Sequence, residues 1–179
     1  KEVEDIIREV EKRIRDSERH SKEVLDRAEE VIDDNRRKNE EVIKEAEEII
    51  DRIRREADRL KGDEKVVREL EERLRRALEK LRRILKESTK HLKKLIEDWK
   101  RRSEEDERRN RDVLRELERR GVDKDLLKEV EERSRRVIEK DRELLKRLED
   151  KVRKLVEDSR RMVKRIEEEI RKLLEDIRR

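Results

Sequence analysis

The sequence predicts an all-α fold, an antiparallel up-down-up three-helix bundle of long, nearly straight helices. Its apolar residues recur in steps of three and four, which places them on one helix face. Its other residues are mostly charged, and Pro is absent. The two glycines, Gly62 and Gly121, divide the chain into near-equal thirds. Because short connections between equal helices favour antiparallel neighbours, we expect a single bundle over residues 1–179.

The first helix is predicted over about 2–61. Its apolar stripe runs from Val3 to Leu60, and residues 24–41 and 42–59 match at eight positions. This repeat of 18 residues corresponds to five helical turns and keeps the stripe nearly straight, whereas strict heptads impose a left-handed supercoil.

The second helix is predicted over about 63–120 and the third over about 123–179. Their stripes run from Val66 to Leu117 and from Leu127 to Ile177. Each stripe is narrow, so charged residues can cover the remaining surface. This pattern argues against disorder, which a charged fraction of 63% would otherwise suggest.

The two connections are predicted from four residues. Gly62 and Gly121 are each expected to take the left-handed conformation that closes a helix. Asp63 and Asp123 follow them, and each is expected to cap the next helix by accepting backbone N–H bonds.

Composition and charge exclude several classes of protein. Without Cys, the chain has no disulfide scaffold, Cys-ligated zinc or thiol catalysis. No apolar run approaches 18 residues, so we expect no membrane span, no natural localisation signal, and a soluble chain that stays in the cytoplasm on recombinant expression. Short basic patches such as Lys100-Arg101-Arg102 are flanked by acidic residues, so a nucleic-acid or membrane-surface partner is not expected.

The uncharged polar residues carry the most information, because they interrupt the apolar stripes. All six serines and all three asparagines fall on a stripe: Ser17, Ser21, Ser88, Ser103, Ser134, Ser159, Asn35, Asn39 and Asn110. Asp106 and Asp141 continue the same positions, and His20 and His91 lie beside them.

Folding the chain at the two glycines brings these residues into two layers. Ser21 should meet Ser103 and Asp141, with Ser17 near Asp106, and Asn110 and Ser134 near Ile14. Asn35 should lie near Ser88, and Asn39 near Ser159. Because buried polar groups cost free energy unless they are bonded, the two layers predict hydrogen-bond networks that specify the helix register.

The residues of these layers suggest two kinds of chemistry, catalysis and metal binding. The first layer contains Ser17, Ser21, His20, Asp106 and Asp141, the elements of a hydrolytic triad. However, helix-interior N–H groups are already bonded, so no oxyanion hole is expected and the chain is predicted not to be an enzyme.

A metal or cofactor site is not expected either, because neither histidine has a Glu three residues before it, as di-metal bundles require. A pH response through a network histidine is the remaining hypothesis. Trp99 is predicted to pack near Ala28 without a ligand role.

The chain resembles computationally designed helical bundles with buried hydrogen-bond networks. The stretch Ser21–Ala46, in which Asn35 and Asn39 stand between Val-Ile pairs, is similar to helices of designed cage-and-latch switches and designed heterodimers. The resemblance implies a synthetic scaffold, oligomer subunit or switch. Natural three-helix rods of the spectrin type are the rival, but they usually carry aromatics, Gln and irregular loops.

The sequence therefore favours a structural scaffold with no natural biochemical activity, whose core specificity is set by buried polar layers. The alternative is an interaction module, a subunit that associates with a second copy or accepts a designed partner helix. No partner and no cofactor are required by the first interpretation.

Overall fold

A computed structural model describes residues 2–179 and is all-α. The helices are α1 (Val3–Arg55), α2 (Ala57–Leu60), α3 (Glu64–Arg119) and α4 (Lys124–Arg178), and residues 2–179 contain no strand. The all-α prediction is therefore confirmed. The predicted second and third helices correspond to α3 and α4, with their ends shifted by about one residue.

The prediction of one unbroken first helix over about 2–61 is wrong at its carboxyl end. Helix α1 ends at Arg55, and Glu56 departs from helical geometry with φ −103° and ψ 15° before the short helix α2. The backbone bonds from Glu56 N–H to Arg52 O and from Leu60 N–H to Glu56 O still bridge the break. The apolar spacing continues through this segment, and Leu60 is buried, so the stripe alone gives no sign of the break.

The connection between α3 and α4 follows the predicted chemistry. Gly121 has φ +73°, its N–H donates to Glu118 O, and the N–H of Val122 donates to Leu117 O. These two bonds form the Schellman motif, which satisfies carbonyls at the end of α3. Asp123 Oδ1 then accepts the N–H of Asp125 at 3.4 Å and caps α4.

The connection between α2 and α3 is built differently, and the prediction for Gly62 is wrong. Gly62 does not take a positive φ, because Lys61 before it keeps right-handed helical angles and Asp63 N–H donates to Leu60 O. The turn therefore needs no left-handed residue. Asp63 caps α3 as expected, since its Oδ1 accepts the N–H of Val66 at 3.3 Å.

The chain divides into two compact units, and α1, α3 and α4 contribute to both. Unit 1 comprises residues 2–29 and 92–151, and unit 2 comprises 30–91 and 152–179. The prediction of one bundle over 1–179 stays a prediction.

Unit 1 contains a small apolar cluster and a set of buried polar side chains. Val10 and Ile14 of α1 pack with Val130 of α4, with Val113 and Leu114 of α3 partly buried against them. Trp99 of α3 is also buried, with 1% of its surface exposed.

Ion pairs between helices show how the segments of unit 1 run. Glu11 pairs with Arg133 at 3.1 Å and Glu29 with Lys151 at 3.5 Å, each pair 122 residues apart in sequence. Residue numbers on α1 and α4 therefore rise together.

Between α3 and α4 the order is opposite in unit 1. Lys100 pairs with Glu149 at 2.7 Å, and Glu107 pairs with Arg142 at 3.4 Å. A later residue of α3 thus meets an earlier residue of α4.

Unit 2 holds the larger apolar core. Its buried side chains come from α1, α2, α3 and α4 and are Val42, Ala46, Ile49, Ile50, Ile53, Leu60, Val67, Leu70, Leu74, Ala77, Leu78, Leu81, Ile166, Ile170, Leu174 and Ile177. Ion pairs join Lys80 to Glu45 at 3.7 Å and Arg178 to Glu71 at 2.9 Å, and a further pair joins Arg82 to Glu167.

The surface is charged, and no large hydrophobic side chain within 2–179 is exposed. Many surface pairs are spaced by four residues on one helix, as in Arg75 with Glu71 and Arg147 with Glu143. Such pairs each contribute a few tenths of a kcal/mol. No helix in the described part of the chain is both long and apolar enough to cross a membrane.

Candidate functional site

Eight polar or charged side chains are buried in the two units. All eight are among the stripe residues that the sequence singles out: Ser17, Ser21, Asn35, Asn39, Asn110, Ser134, Asp141 and Ser159. Ser88, Ser103, Asp106 and His20 are partly buried. The helical period explains this placement, because residues three or four positions from a buried apolar residue lie on the same face.

In unit 1, α1 and α4 are joined by a hydrogen bond between two buried side chains. The Ser21 hydroxyl lies 2.7 Å from Asp141 Oδ1 and 2.9 Å from the backbone oxygen of Ser17. A hydroxyl has one proton, so it donates to one acceptor at a time, and the carboxylate forms the stronger, charge-assisted bond. Ser21 and Asp141 are both 4% exposed, so water competes little for this bond.

Burial raises the pKa of the Asp141 carboxyl above its ordinary value of 3.8, because desolvation disfavours the charged form. The Ser21 bond and the Trp99 indole N–H partly offset this rise, whereas the nearby charges of Asp106 and Glu18 add to it. The indole is close enough to act on the carboxylate, yet Trp99 Nε1 lacks a hydrogen-bond partner among residues 2–179. The indole dipole therefore acts on the carboxylate electrostatically, without a hydrogen bond.

Beside Asp141 lies a cavity of about 10 Å³ whose walls come from all three helix segments of unit 1. Its polar lining consists of Arg13, Ser17, Ser103, Asp106, Asn110 and Asp141. The structure thus brings five residues of the predicted first layer together. Ser134 does not line this cavity.

Two buried polar atoms in unit 1 have no hydrogen-bond partner in the described part of the chain, besides the indole nitrogen. They are Asn110 Oδ1 and Ser134 Oγ. Ser134 is 4% exposed, the same fraction as Ser21, but it differs from Ser21 in having no bond to lose.

In unit 2, α1 and α3 are joined by Asn35, which is completely buried. Its Nδ2 donates to Ser88 Oγ at 2.8 Å and to Ile84 O at 3.4 Å. Asn39 Nδ2 in turn donates to Asn35 Oδ1 at 3.0 Å. Ser159 is buried, and Asn39 Oδ1 accepts no hydrogen bond within 2–179, so the Ser159 hydroxyl does not donate to it.

The histidines lie at different depths. His91 is exposed, and the prediction that it joins the second layer is wrong, because position 91 lies off the stripe that the buried Leu92 follows. His20 is partly buried, and burial followed by the charge of Arg102 lowers the pKa of its imidazole below 6.5. Glu23 and Asp106 oppose that shift, and Arg27 adds to it.

This arrangement does not assemble a hydrolytic triad. The Ser21 hydroxyl is directed to Asp141 and Ser17 O rather than to an imidazole, and no described serine is hydrogen-bonded to His20. A nucleophile and its base need direct hydrogen-bond contact. No group of three or more His, Asp or Glu side chains within 2–179 is placed to hold a metal ion.

The sequence interpretation missed one residue of this layer, Trp99. Its indole N–H acts on Asp141, a contact that was not predicted. A signal was present, because Trp99, Ser103, Asp106 and Asn110 follow one another at spacings of four, three and four, which place them on one face of α3.

Unit 2 has a surface groove of about 800 Å³ between α3 and α4. Its apolar floor is formed by Leu78, Ile170 and Leu174, which are 6–8% exposed. The ion pairs Arg82–Glu167 and Arg178–Glu71 join its two walls, which belong to α3 and α4.

Comparisons with known proteins found little similarity. No protein-family model matches the chain, and no curated protein matches it. Among solved structures it is similar to a "Computationally designed three helix bundle", with a TM-score of 0.49 and 20% sequence identity over 97% of this chain and 86% of that one. A similarity of this extent assigns no function.

Proposed function

We propose that the chain is a de novo designed structural scaffold with no natural biochemical activity, in which buried polar layers specify the helix arrangement. One observation carries the proposal. Each unit contains a hydrogen bond between buried or partly buried polar side chains of different helices, Ser21 with Asp141 in unit 1 and Asn35 with Ser88 in unit 2. The resemblance to designed bundles and the absence of Ser and Asn away from the stripes support the same conclusion.

The proposed arrangement is an antiparallel up-down-up three-helix bundle. In unit 1, the ion pairs of Glu11 and Glu29 support a parallel course for α1 and α4, and those of Lys100 and Glu107 support an antiparallel course for α3. In unit 2, the pairs Arg82–Glu167 and Arg178–Glu71 support the same antiparallel course of α3 and α4.

The polar layers destabilise other helix rotations and other oligomeric states. Apolar stripes built mainly from Leu, Ile and Val pack acceptably in several rotations or oligomeric states, because hydrophobic burial is non-directional. A buried Asn or Asp is satisfied only when its partner helix presents the matching group, and leaving it unpaired costs about 1–3 kcal/mol or more. Buried polar residues specify oligomeric state in this way in coiled coils.

An interaction module is the second candidate. The groove over Leu78, Ile170 and Leu174 is the observation that favours it, because it has the apolar floor that a docked helix requires. The charged side chains that pair across the groove would have to separate before a helix could reach that floor, so the scaffold is preferred.

Light scattering coupled to size exclusion tests the choice. The scaffold proposal predicts a single mass of 22.3 kDa across a wide concentration range. A dimer mass would overturn it in favour of the module.

A variant without the bonded pairs tests the role of the layers. The layer-stripped variant carries Ser21→Ala, Asp141→Leu, Asn35→Leu and Ser88→Ala. We expect it to stay helical and to form species of several masses. A layer-stripped variant with the same single mass as the parent would contradict the proposal that the layers specify the arrangement.

A further inference from the structure

We propose that the cavity beside Asp141 in unit 1 is a binding site for one water molecule, which bridges Asn110 to the carboxylates of α3 and α4. This inference does not depend on whether the chain is a designed scaffold. It concerns how the first polar layer is completed.

The side-chain oxygen of Asn110 is a buried hydrogen-bond acceptor without a donor. Asn110 is 9% exposed, its Oδ1 is fully buried, and no donor within 2–179 bonds to it. A carbonyl oxygen can only accept a hydrogen bond. Leaving it without one in the interior costs about 1–3 kcal/mol, so the site calls for a small molecule that can donate.

The cavity beside Asp141 has room for one water molecule. The cavity volume of about 10 Å³ is at the lower limit for a single water and too small for any larger molecule. A buried water also needs two to four polar partners. The cavity supplies them on its walls: Arg13, Ser17, Ser103, Asp106, Asn110 and Asp141.

The charges that line the cavity favour water over a cation as its occupant. The negative charges of Asp106 and Asp141 would favour a cation in the cavity, and their carboxylate oxygens also accept hydrogen bonds from a neutral donor. Arg13 lines the same cavity, however, and its fixed positive charge repels a second cation within a few Å. A neutral donor satisfies both sides. One O–H group of the water donates to Asn110 Oδ1, and its other O–H group donates to a carboxylate oxygen of Asp106 or Asp141. The water oxygen accepts a hydrogen bond from a serine hydroxyl or from the Arg13 guanidinium.

The test is a crystal structure of the full chain in which ordered water is visible. We expect one oxygen peak about 2.7–3.2 Å from Asn110 Oδ1. In solution, NMR should show a cross-peak between a long-lived water and the Asn110 side-chain amide protons. A cavity without a peak, together with no such cross-peak, would overturn the proposal.

Two variants sharpen the test. Asn110→Leu should abolish the water peak, because it removes the acceptor and fills the space. Ser134→Ala should leave the peak unchanged, because Ser134 is also buried in unit 1 but does not line the cavity. Loss of the peak in Ser134→Ala would contradict the assigned position.

The cation alternative is tested separately with CaCl2 and NaCl. The water site predicts that neither salt gives a saturable rise in Tm that disappears in Asp106→Asn. A saturable rise lost in that variant would show that the site binds a cation, and would overturn the assignment to water. The wild-type crystal structure decides the question even if a variant fails to fold.

Discussion

Replacing Ser21 by Ala removes the donor that satisfies a buried carboxylate. The hydroxyl lies 2.7 Å from Asp141 Oδ1, and both residues are 4% exposed, so solvent does not replace the lost bond. A hydrogen bond to a charged group contributes about 1.5–3 kcal/mol, and Ala gains roughly 0.5 kcal/mol over Ser in helix propensity. We expect Ser21→Ala to lower the free energy of unfolding by about 1–2.5 kcal/mol at neutral pH.

Ser134→Ala is the matched control, because it makes the same substitution at an equally buried position of the same unit. Ser134 Oγ has no partner within 2–179. Ser134→Ala therefore has the same gain in helix propensity as Ser21→Ala, and it also removes the free-energy cost of burying an unpaired hydroxyl. We expect the free energy of unfolding to rise by about 0.5–2 kcal/mol.

Guanidinium unfolding followed by circular dichroism at neutral pH measures both variants. At acid pH, where Asp141 is protonated, the cost of Ser21→Ala should fall to that of a neutral hydrogen bond, about 0.5–1.5 kcal/mol. Ser21→Ala being as stable as Ser134→Ala at neutral pH would refute the reasoning. Helix propensity cancels between the two variants, and both remaining effects, the lost Asp141 bond of Ser21 and the removed unpaired hydroxyl of Ser134, make Ser21→Ala the less stable.

Three further predictions use the same unfolding measurement. Gly121→Ala should cost about 1–2 kcal/mol because φ is +73°, whereas Gly62→Ala should be neutral or stabilising, since an added Cβ meets nothing within 4 Å at either site; equal effects would contradict the assigned turns. Asp141→Asn should be more stable than the parent at neutral pH, because the raised pKa of Asp141 means that its charged form destabilises the fold. The difference should shrink as pH falls through that raised pKa towards 3.8, and a constant difference would count against this assignment. Because the pKa of His20 is lowered, neutral His20 contributes to the free energy of unfolding above pH 6.5, and this contribution is lost as pH falls through the folded-state pKa. His20→Gln should therefore lose less stability than the parent between neutral pH and about pH 5. An equal loss in the two proteins would argue against a role for His20.

The helices and their buried faces follow from the sequence because helical periodicity is a local property. Steps of three and four place Ser21, Asn35 and Asp141 on the faces that are buried, whatever the details of their partners. The Schellman turn at Gly121 was predicted from a glycine that follows a long helix and precedes a capping Asp. The same pattern at Gly62 gave a wrong prediction, so the pattern does not by itself decide the conformation of the glycine.

The remaining features depend on three-dimensional detail that periodicity does not contain. The break at Glu56 and the absence of a positive φ at Gly62 leave no mark on the apolar spacing, which continues to the buried Leu60. Whether Ser134 finds a partner depends on side-chain rotamers and on distances of a few tenths of an ångström. The same holds for the approach of the Trp99 indole to Asp141.

The claim that polar layers specify one helix arrangement is tested most directly by the NMR signal of Trp99. It is the only tryptophan, it is buried in unit 1, and it influences the pKa of Asp141, so each distinct packing of this layer gives its own indole resonance. We expect one sharp indole resonance for the parent and for Ser134→Ala, and several or broadened resonances for the layer-stripped variant. A single sharp resonance in a folded layer-stripped variant would contradict the claim.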